Sequence, residues 1–223
     1  MRICVSPQVA AVFVSGIAAS HLALAEPVSD KLPEGGWAIG LDNKIYALAL
    51  PSHAKENGLD FGNDGDVYGI PSALGLSASK QFNEYIAILG EIAMGYEEGV
   101  AGSSVYIGGF STGRIDASED YKTALDYSVS TLVQLRPLGD TGFRPYLVAG
   151  LNTSSITYDY EIESNTISKP IKGSETLSST GLVYGLGFEF YTWDTLEFKL
   201  DYQVLAHMEE ATDVISFGLS YEF

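Results

Sequence analysis

Charged residues near the C-terminus occur at every second position, a spacing that places them on one face of a β-strand. Polar Glu197, Lys199, Asp201 and Gln203 alternate with apolar Leu196, Phe198, Leu200, Tyr202 and Val204. Successive side chains of a strand point to opposite faces, so this segment has one charged and one apolar face. Charges gathered in a narrow interior must form pairs or hold water, because isolated buried ions are costly.

The same alternation in other segments predicts a larger polar network. Its candidate members are Glu91, Asp126, Arg144, Glu189, Glu197, Lys199 and Asp201. A turn at residues 191–194 would place Glu189 and Glu197 nearly opposite each other, where like charges repel. We predict that Lys199, diagonal to Glu189, neutralises this acidic cluster and that Arg144 does the same lower down.

Catalytic and metal-binding patterns are incomplete. A hydrolase needs a histidine with a serine and an acid. No serine follows His207 at short spacing. The serine directly before His53 would face the opposite side of a strand. Residues 60–66 resemble part of a calcium loop, yet Gly62 and Pro71 stand where oxygen ligands belong. We therefore predict no catalytic residue, no cofactor and no metal.

The first 25 residues have the pattern of a cleaved secretory signal peptide. Arg2 supplies a positive charge, residues 9–19 form a short apolar run, and Ala23-Leu24-Ala25 has the small-x-small form of a cleavage site. We expect residues 26–223 to form the mature domain. The single cysteine, Cys4, lies in the signal, so the mature domain is predicted to have no disulfide.

Composition excludes two classes of protein. The formal net charge is −17, and it becomes −18 without the signal, which holds one basic and no acidic residue. Nucleic-acid binders need a basic surface, so no nucleic-acid partner is expected. No apolar run after the signal is long enough for a transmembrane helix, whereas the 24 glycines and 14 tyrosines suit a β protein with aromatic belts.

The alternating pattern predicts eight strands, at residues 37–50, 66–79, 84–96, 120–135, 143–158, 179–190, 195–204 and 214–223. The alternation of the first strand breaks at 42–44, which suggests a bulge, and 80–83 is expected to be a tight turn. Residues 103–114 are treated as an extension of the fourth strand. The long connections 51–65, 97–119, 159–178 and 207–213 hold 14 acidic and four basic residues, which predicts an acidic crown.

Alternating strands suit either a soluble sandwich or a transmembrane barrel. Alternately long and short connections, the export signal and the terminal aromatic residue favour the barrel. Aromatic residues also sort into two groups, as expected for belts at the two membrane interfaces. The short-turn group is Trp37, Phe82, Tyr85, Phe143, Phe190, Tyr191, Trp193 and Phe223, and the loop-end group is Tyr96, Tyr121, Tyr158 and Tyr160.

Several segments resemble the small outer-membrane β-barrel family, the OmpA-, OmpX- and opacity-protein-like group. The resemblance rests on residues 145–151 (PYLVAGL), 185–190 (GLGFEF), 196–202 (LEFKLDY) and 216–223 (SFGLSYEF). It implies an all-β, eight-stranded antiparallel up-and-down transmembrane β-barrel in the outer membrane. It also implies insertion by the outer-membrane assembly machinery, which would read Tyr221 and Phe223 as a C-terminal signal.

The resemblance leaves the activity open. We expect a monomeric barrel with a structural or surface-interaction role, whose partners are outer-membrane lipid, lipopolysaccharide and an extracellular ligand of the acidic loops. Its lumen is expected to be plugged, since eight strands enclose a space that side chains can fill. The alternatives are a narrow cation-preferring channel, favoured by the excess of acidic over basic residues among the predicted inward side chains, and an outer-membrane lipid-modifying enzyme.

Overall fold

Every element of secondary structure in the described part of the chain is a β-strand. The computed structural model describes residues 36–50, 67–109, 113–138, 143–164, 169–193, 195–206 and 212–223. The strands are β1 (Trp37–Leu50), β2 (Val67–Gly69), β3 (Ser72–Asn83), β4 (Ile86–Glu97), β5 (Gly99–Gly109), β6 (Gly113–Leu135), β7 (Phe143–Ser164), β8 (Ile171–Trp193), β9 (Leu196–Leu205) and β10 (Thr212–Glu222). No helix in these ranges is long and apolar enough to cross a membrane.

Eight of these strands close into an antiparallel barrel. Their order around the ring is β1, β3, β4, β6, β7, β8, β9 and β10, and β10 pairs back with β1. The closing register runs without a break from Ala38 opposite Glu222 to Ala47 opposite Asp213. Short β2 pairs with the end of β1, and β5 pairs with the first half of β6. The predicted eight-stranded antiparallel barrel is confirmed.

The two faces of the barrel wall differ in polarity. Large apolar side chains stay exposed on the outside, for example Leu76, Ile92 and Leu151, which are exposed by 64%, 57% and 57%. Polar and charged side chains alternate with them and are buried inside. Burying polar groups while exposing apolar ones suits a wall that faces lipid on its outer side.

The predicted bulge at residues 42–44 is wrong. β1 pairs in regular register with both β3 and β10 through this stretch. Asp42 and Lys44 are both 3% exposed and point inward, while Asn43 lies on the outer face and donates to the Tyr96 hydroxyl at 2.9 Å. The polar outward residue, not a break in the strand, interrupts the alternation.

A bulge does occur in β6, where the register to β7 shifts between Leu125 and Tyr127. One extra residue reverses which side chains face inward beyond it. On the turn side, Ser128 and Gln134 are buried, whereas on the other side Leu125 is buried and Asp126 is exposed. The outward assignment of Leu125 and the inward assignment of Asp126 are therefore both wrong.

Two predicted strand ends also move. Residues 80–83 belong to β3, and the turn lies at residues 84–85, because the Asn83 side-chain oxygen accepts from the backbone amides of Tyr85 and Ile86, both at 2.9 Å. The predicted second strand is divided into β2 and β3 around Pro71, which has no amide hydrogen to donate to a ladder.

The outer part of the barrel contains more strand than expected. β5 and β6 pair from Gly99 opposite Thr123 to Gly109 opposite Gly113, and β7 pairs with β8 as far as Ile162 opposite Ile171. Much of the predicted loops 97–119 and 159–178 is therefore paired β-strand. Residues 103–109 belong to β5, which is a separate strand and not an extension of the predicted fourth strand. The predicted loop 51–65 lies outside the described residues.

The predicted aromatic belt is present at the short-turn end of the barrel. Trp37, Phe82, Tyr85, Phe190 and Phe223 are exposed near the short turns, whereas the side chains of Tyr191 and Trp193 lie outside the described residues. At the other end the exposed rings are Tyr96, Tyr127 and Tyr184.

Two rings assigned to the outer belt lie inside instead. Tyr121 and Tyr158 are each 1% exposed. Their hydroxyls donate to Glu119 and Glu175, both at 2.6 Å. The inward direction of Tyr121 follows from the β6 bulge, which sets the parity of the outer half of that strand. Tyr158 keeps the inward parity that Tyr146 and Asn152 have on β7.

Candidate functional site

The barrel register brings the interior charges into lateral rows. Around the wall, Asp42 pairs with Gly218, Gly218 with Lys199, Lys199 with Glu189, and Glu189 with Arg144. Side chains of directly paired residues point to the same face, so one row carries charges from four strands into the lumen. We call the charged interior groups described below the lumen network.

Glu189 is the centre of the lumen network near the short turns. Its Oε1 lies 3.3 Å from Lys199 Nζ and accepts from Gln134 Nε2 at 2.9 Å. Its Oε2 lies 3.0 Å from an Arg136 terminal nitrogen and 3.6 Å from Arg144 Nε. The Glu189 side chain is fully buried, and three cations around it offset a desolvation cost of roughly several kcal/mol.

A second carboxylate shares this part of the network. Arg144 also pairs with Glu197, whose Oε2 accepts from Ser220 at 2.8 Å. Arg136 donates to Gln81 Oε1 at 2.9 Å. These contacts link β3, β6, β7, β8, β9 and β10 across the interior, so the network braces most of the wall.

A second group of charges lies one row further from the short turns. Lys44 Nζ is 2.9 Å from Glu91 Oε2, and both side chains are buried. Asp201 accepts from the Tyr146 hydroxyl and, at 2.7 Å, from Ser216. In the strand register, Lys44 pairs with Ser216, Ser216 with Asp201, Asp201 with Gly187, and Gly187 with Tyr146. The hydrogen bonds to Asp201 therefore run along one row of the wall.

Glycines make room for the largest members of the network. A Cβ on Gly218 would collide with the Asp42 carboxylate directly opposite it. A Cβ on Gly187 would lie 2.6 Å from the ring of Tyr146, again its cross-strand partner. The space beside these two inward glycines is therefore occupied by protein side chains and is not open to water.

An apolar layer covers the network on the outer side. Its members lie toward the loop ends of their strands and belong to one buried cluster: Tyr46, Leu48, Ala73, Ala93, Leu125, Ile156, Val183, Leu205 and Val214. On β1, β4, β9 and β10, polar or charged inward residues are thus followed by apolar ones toward the loop end of the strand. Apolar constrictions oppose ion passage because they do not replace the ion's water.

The structure brings six of the seven predicted network residues into the lumen. Glu91, Arg144, Glu189, Glu197, Lys199 and Asp201 are all buried inside. Asp126 is the exception: it lies exposed on the outer face beside the β6 bulge and accepts from Ser155 at 2.9 Å and Thr157 at 3.0 Å. A single inserted residue accounts for this error.

The expected arrangement around Glu189 also needs correction. Glu197 is opposite Tyr191, and Glu189 is directly opposite Lys199, because the β8–β9 register shifts between Tyr191 and Trp193 near the turn. Lys199 and Arg144 do both contact the acidic cluster, but they converge on the same carboxylate.

Three network residues escaped the sequence analysis: Asp42, Lys44 and Arg136. Asp42 and Lys44 have the same parity as buried Ala38 and Tyr46, so reading β1 as unbroken would have found them. Arg136, the residue after the end of β6, lies two positions from buried Gln134 and therefore points to the same inward face. Among the described residues, 11 charged side chains are buried, seven acidic and four basic, so the interior keeps an acidic excess.

The remaining candidates stand apart from the lumen network. Tyr221 and Phe223 are exposed by 49% and 65% on the outer face, and their role as an assembly signal stays a prediction. His53 and His207 lie outside the described residues. In the described ranges, no three His, Cys, Asp or Glu side chains are grouped so as to hold a metal ion.

A closed antiparallel wall with an apolar exterior and a charged interior defines an integral membrane barrel of the outer-membrane type. The chain belongs to the outer membrane protein beta-barrel domain family, whose model matches residues 9–223. This membership confirms the resemblance seen in the sequence and places the protein in the bacterial outer membrane.

Comparisons with solved structures return small barrels. Ail of Yersinia pestis, solved in complex with the heparin analogue sucrose octasulfate, is 17% identical with a TM-score of 0.48, covering 86% of this chain and 100% of Ail. OprG of Pseudomonas aeruginosa is 16% identical with a TM-score of 0.45, covering 85% and 97%. Neisserial surface protein A is 13% identical with a TM-score of 0.45, covering 84% and 97%. No curated protein sequence matches the chain.

Proposed function

We propose that this protein is a monomeric structural or surface-interaction barrel whose lumen is plugged by its own side chains. The observation that carries the proposal is the convergence of Lys199, Arg136 and Arg144 on Glu189. The three cations come from the end of β6, from β7 and from β9, so together with Glu189 on β8 they span four neighbouring strands, half of the barrel wall. An ion would have to displace contacts of 3.0–3.6 Å between fully or nearly fully buried groups.

The apolar layer supports the plug independently. It lies beyond the Lys44–Glu91 pair and includes Leu48, Ile156, Leu205 and Val214, each at most 2% exposed. A hydrated ion gains little from such side chains. Ion passage therefore meets two different barriers, one made of ion pairs and one of apolar groups.

The surface role is supported by the strand that extends beyond the apolar band. Outward residues of β7 change from Leu147 and Leu151 to Thr153 and Thr157 along the strand, and β7 continues to Ser164. This outer part of β7 carries Asp159, Glu161 and Glu163, which belong to the acidic crown predicted from the sequence. We propose that it meets lipopolysaccharide through shared divalent cations, which carboxylates bind, and presents its tip to an extracellular ligand.

A cation-preferring channel is the second candidate, because buried acidic side chains outnumber basic ones. An enzyme is not favoured. We propose a non-catalytic role because the sequence lacks a serine suitably spaced from His207, and the polar groups of the lumen network are engaged with one another.

Single-channel recording in planar bilayers tests the plug. The wild type is expected to be silent, and Lys199→Ala is expected to leak or to lose stability, since it removes one of the three cations that contact Glu189. Lys172→Ala is the matched control: Lys172 pairs with Glu161 at 2.7 Å on the outer extension and is 63% exposed. Steady, cation-selective conductance from the wild type would support the channel and refute the plug.

A further inference from the structure

The lumen contains a small cavity between the Lys44–Glu91 pair and the apolar layer. Its volume is about 10 Å³. All of its lining residues are buried. They are Lys44, Tyr46, Glu91, Ala93, Ser128, Ser130, Asn152, Gln203, Leu205 and Val214.

Two polar groups that line this cavity have no protein partner among the described residues. They are the acceptor Asn152 Oδ1 and the donor Gln203 Nε2, and their side chains are 1% and 2% exposed. The Asn152 amide nitrogen is held in place, since it donates to Ser128 and Ser130, both at 2.8 Å. A buried polar group left unsatisfied costs about 1–3 kcal/mol, so two in one cavity indicate a bound group that both donates and accepts.

We infer that the cavity binds one ordered water molecule, which accepts from Gln203 Nε2 and donates to Asn152 Oδ1. The cavity has the room that a single water needs, and a buried water needs two to four polar partners. Any larger solute is excluded by size. A cation is disfavoured because the Lys44 ammonium and the Gln203 donor both line the cavity.

The surroundings of the site give this water a distinctive property. Tyr46, Leu205 and Val214 bound it with apolar surface, and the Lys44–Glu91 ion pair bounds it with groups already bonded to each other. The water is therefore separated from any continuous file of water through the lumen. This goes beyond the proposed plug: the plug includes one slowly exchanging water, and the barrel does not conduct protons along a water chain.

The test is a pair of ¹⁵N-edited NOESY and ROESY spectra of the refolded, deuterated and ¹⁵N-labelled barrel in detergent micelles. We expect the side-chain amide of Gln203 to show a cross-peak at the water frequency whose ROE is opposite in sign to the diagonal, as for a long-lived bound water and unlike chemical exchange. Ala93 lines the cavity and is 1% exposed, so Ala93→Val should fill the cavity and abolish this cross-peak.

Ala149→Val, which adds the same atoms on the exposed outer face, should leave the cross-peak unchanged. A wild type without the Gln203 water ROE overturns the inference even if Ala93→Val does not fold, and so does an ROE that persists in a folded Ala93→Val. Conductance is measured on the same preparation. A conducting barrel that shows the ROE refutes the plug and the isolation of the water but keeps the water site, whereas a silent barrel without the ROE refutes the site alone.

Discussion

Glu189 and Lys199 are direct cross-strand neighbours on β8 and β9, and their Oε1 and Nζ atoms lie 3.3 Å apart. Arg144 is the direct neighbour of Glu189 on the other side, and Arg136 reaches the same carboxylate from the end of β6. Glu189 thus has three cationic partners within 3.6 Å. Removing the carboxylate should therefore cost more than removing one of its cations.

The first prediction concerns Lys199→Ala. Breaking a buried ion pair typically costs about 3–5 kcal/mol. The two arginines that remain beside Glu189 should keep the loss of unfolding free energy at about 3 kcal/mol. The free energy of unfolding would be measured by urea titration in lipid vesicles. The exposed pair of Lys172 with Glu161 provides the control, because Lys172→Ala should cost less than about 1 kcal/mol. Equal losses for the two variants would contradict a buried network.

The second prediction is a double-mutant cycle between Glu189 and Lys199. Glu189→Gln should destabilise the barrel more than Lys199→Ala, since it leaves three neighbouring cations facing a neutral amide. The double variant should be less destabilised than the sum of the single losses, by roughly 0.5–3 kcal/mol, as expected for residues in contact. Additive losses within about 0.5 kcal/mol would mean that the pair is not coupled.

The direction of side chains within each strand could be predicted from the sequence wherever the strand is regular. β1 has the predicted bounds, 37–50, and β9 lies within one residue of the predicted 195–204, because a period of two in apolar residues reports the face directly. The error at Asp126 arose because a bulge adds one residue without adding a recognisable signal. The assignments of Leu125 and Asp126, at the bulge, are the reversed ones, whereas Ser128, Ser130 and Gln134 are buried as predicted.

Pairing between strands could not be predicted in the same way. Alternation fixes the face of a residue but not its height relative to the next strand, which depends on the turn. The shift between Tyr191 and Trp193 places Lys199 rather than Glu197 opposite Glu189. For the same reason, the contact between Arg136 and Glu189 could not be predicted from the sequence of the turn that contains Arg136.

The third prediction compares two aspartates that the sequence placed together. Asp201→Ala leaves the buried hydroxyls of Tyr146 and Ser216 without their acceptor, so we expect a loss of about 2 kcal/mol or more in unfolding free energy. Asp126→Ala removes an exposed group and should cost less than about 1 kcal/mol. A larger loss for Asp126→Ala than for Asp201→Ala would show that the β6 bulge is misplaced.

The fourth prediction tests which face of β9 meets lipid. Leu200 lies between Phe188 of β8 and Phe217 of β10 on the outer face, so Leu200→Arg should cost about 2–4 kcal/mol if it lies near the bilayer midplane. Ala206, exposed just after β9, lies toward the outer interface, and Ala206→Arg should cost about 0–1 kcal/mol. A cost near zero for Leu200→Arg would mean that the inward and outward faces are exchanged.

The last prediction concerns assembly rather than stability in the finished barrel. Phe223 completes the closure of β10 against β1: its amide donates to the Trp37 carbonyl at 2.8 Å, and its carbonyl accepts from the Trp37 amide at 3.1 Å. Its ring is 65% exposed on the outer face, where assembly machinery could contact it. Deleting Phe223 should sharply lower the amount of barrel in the outer membrane while export across the inner membrane continues.

Two substitutions separate the ring from the backbone contacts. Phe223→Ala keeps the backbone pairing with Trp37 but removes the aromatic ring, and it should also lower assembly if the ring is the signal. Phe217→Ala removes another exposed outward ring of β10 and should assemble at near wild-type levels, because it lies within the strand and not at its end. Outer-membrane levels would be measured by immunoblotting of fractionated cells. Equal assembly of the Phe223 and Phe217 variants would mean that Phe223 has no special role as an assembly signal.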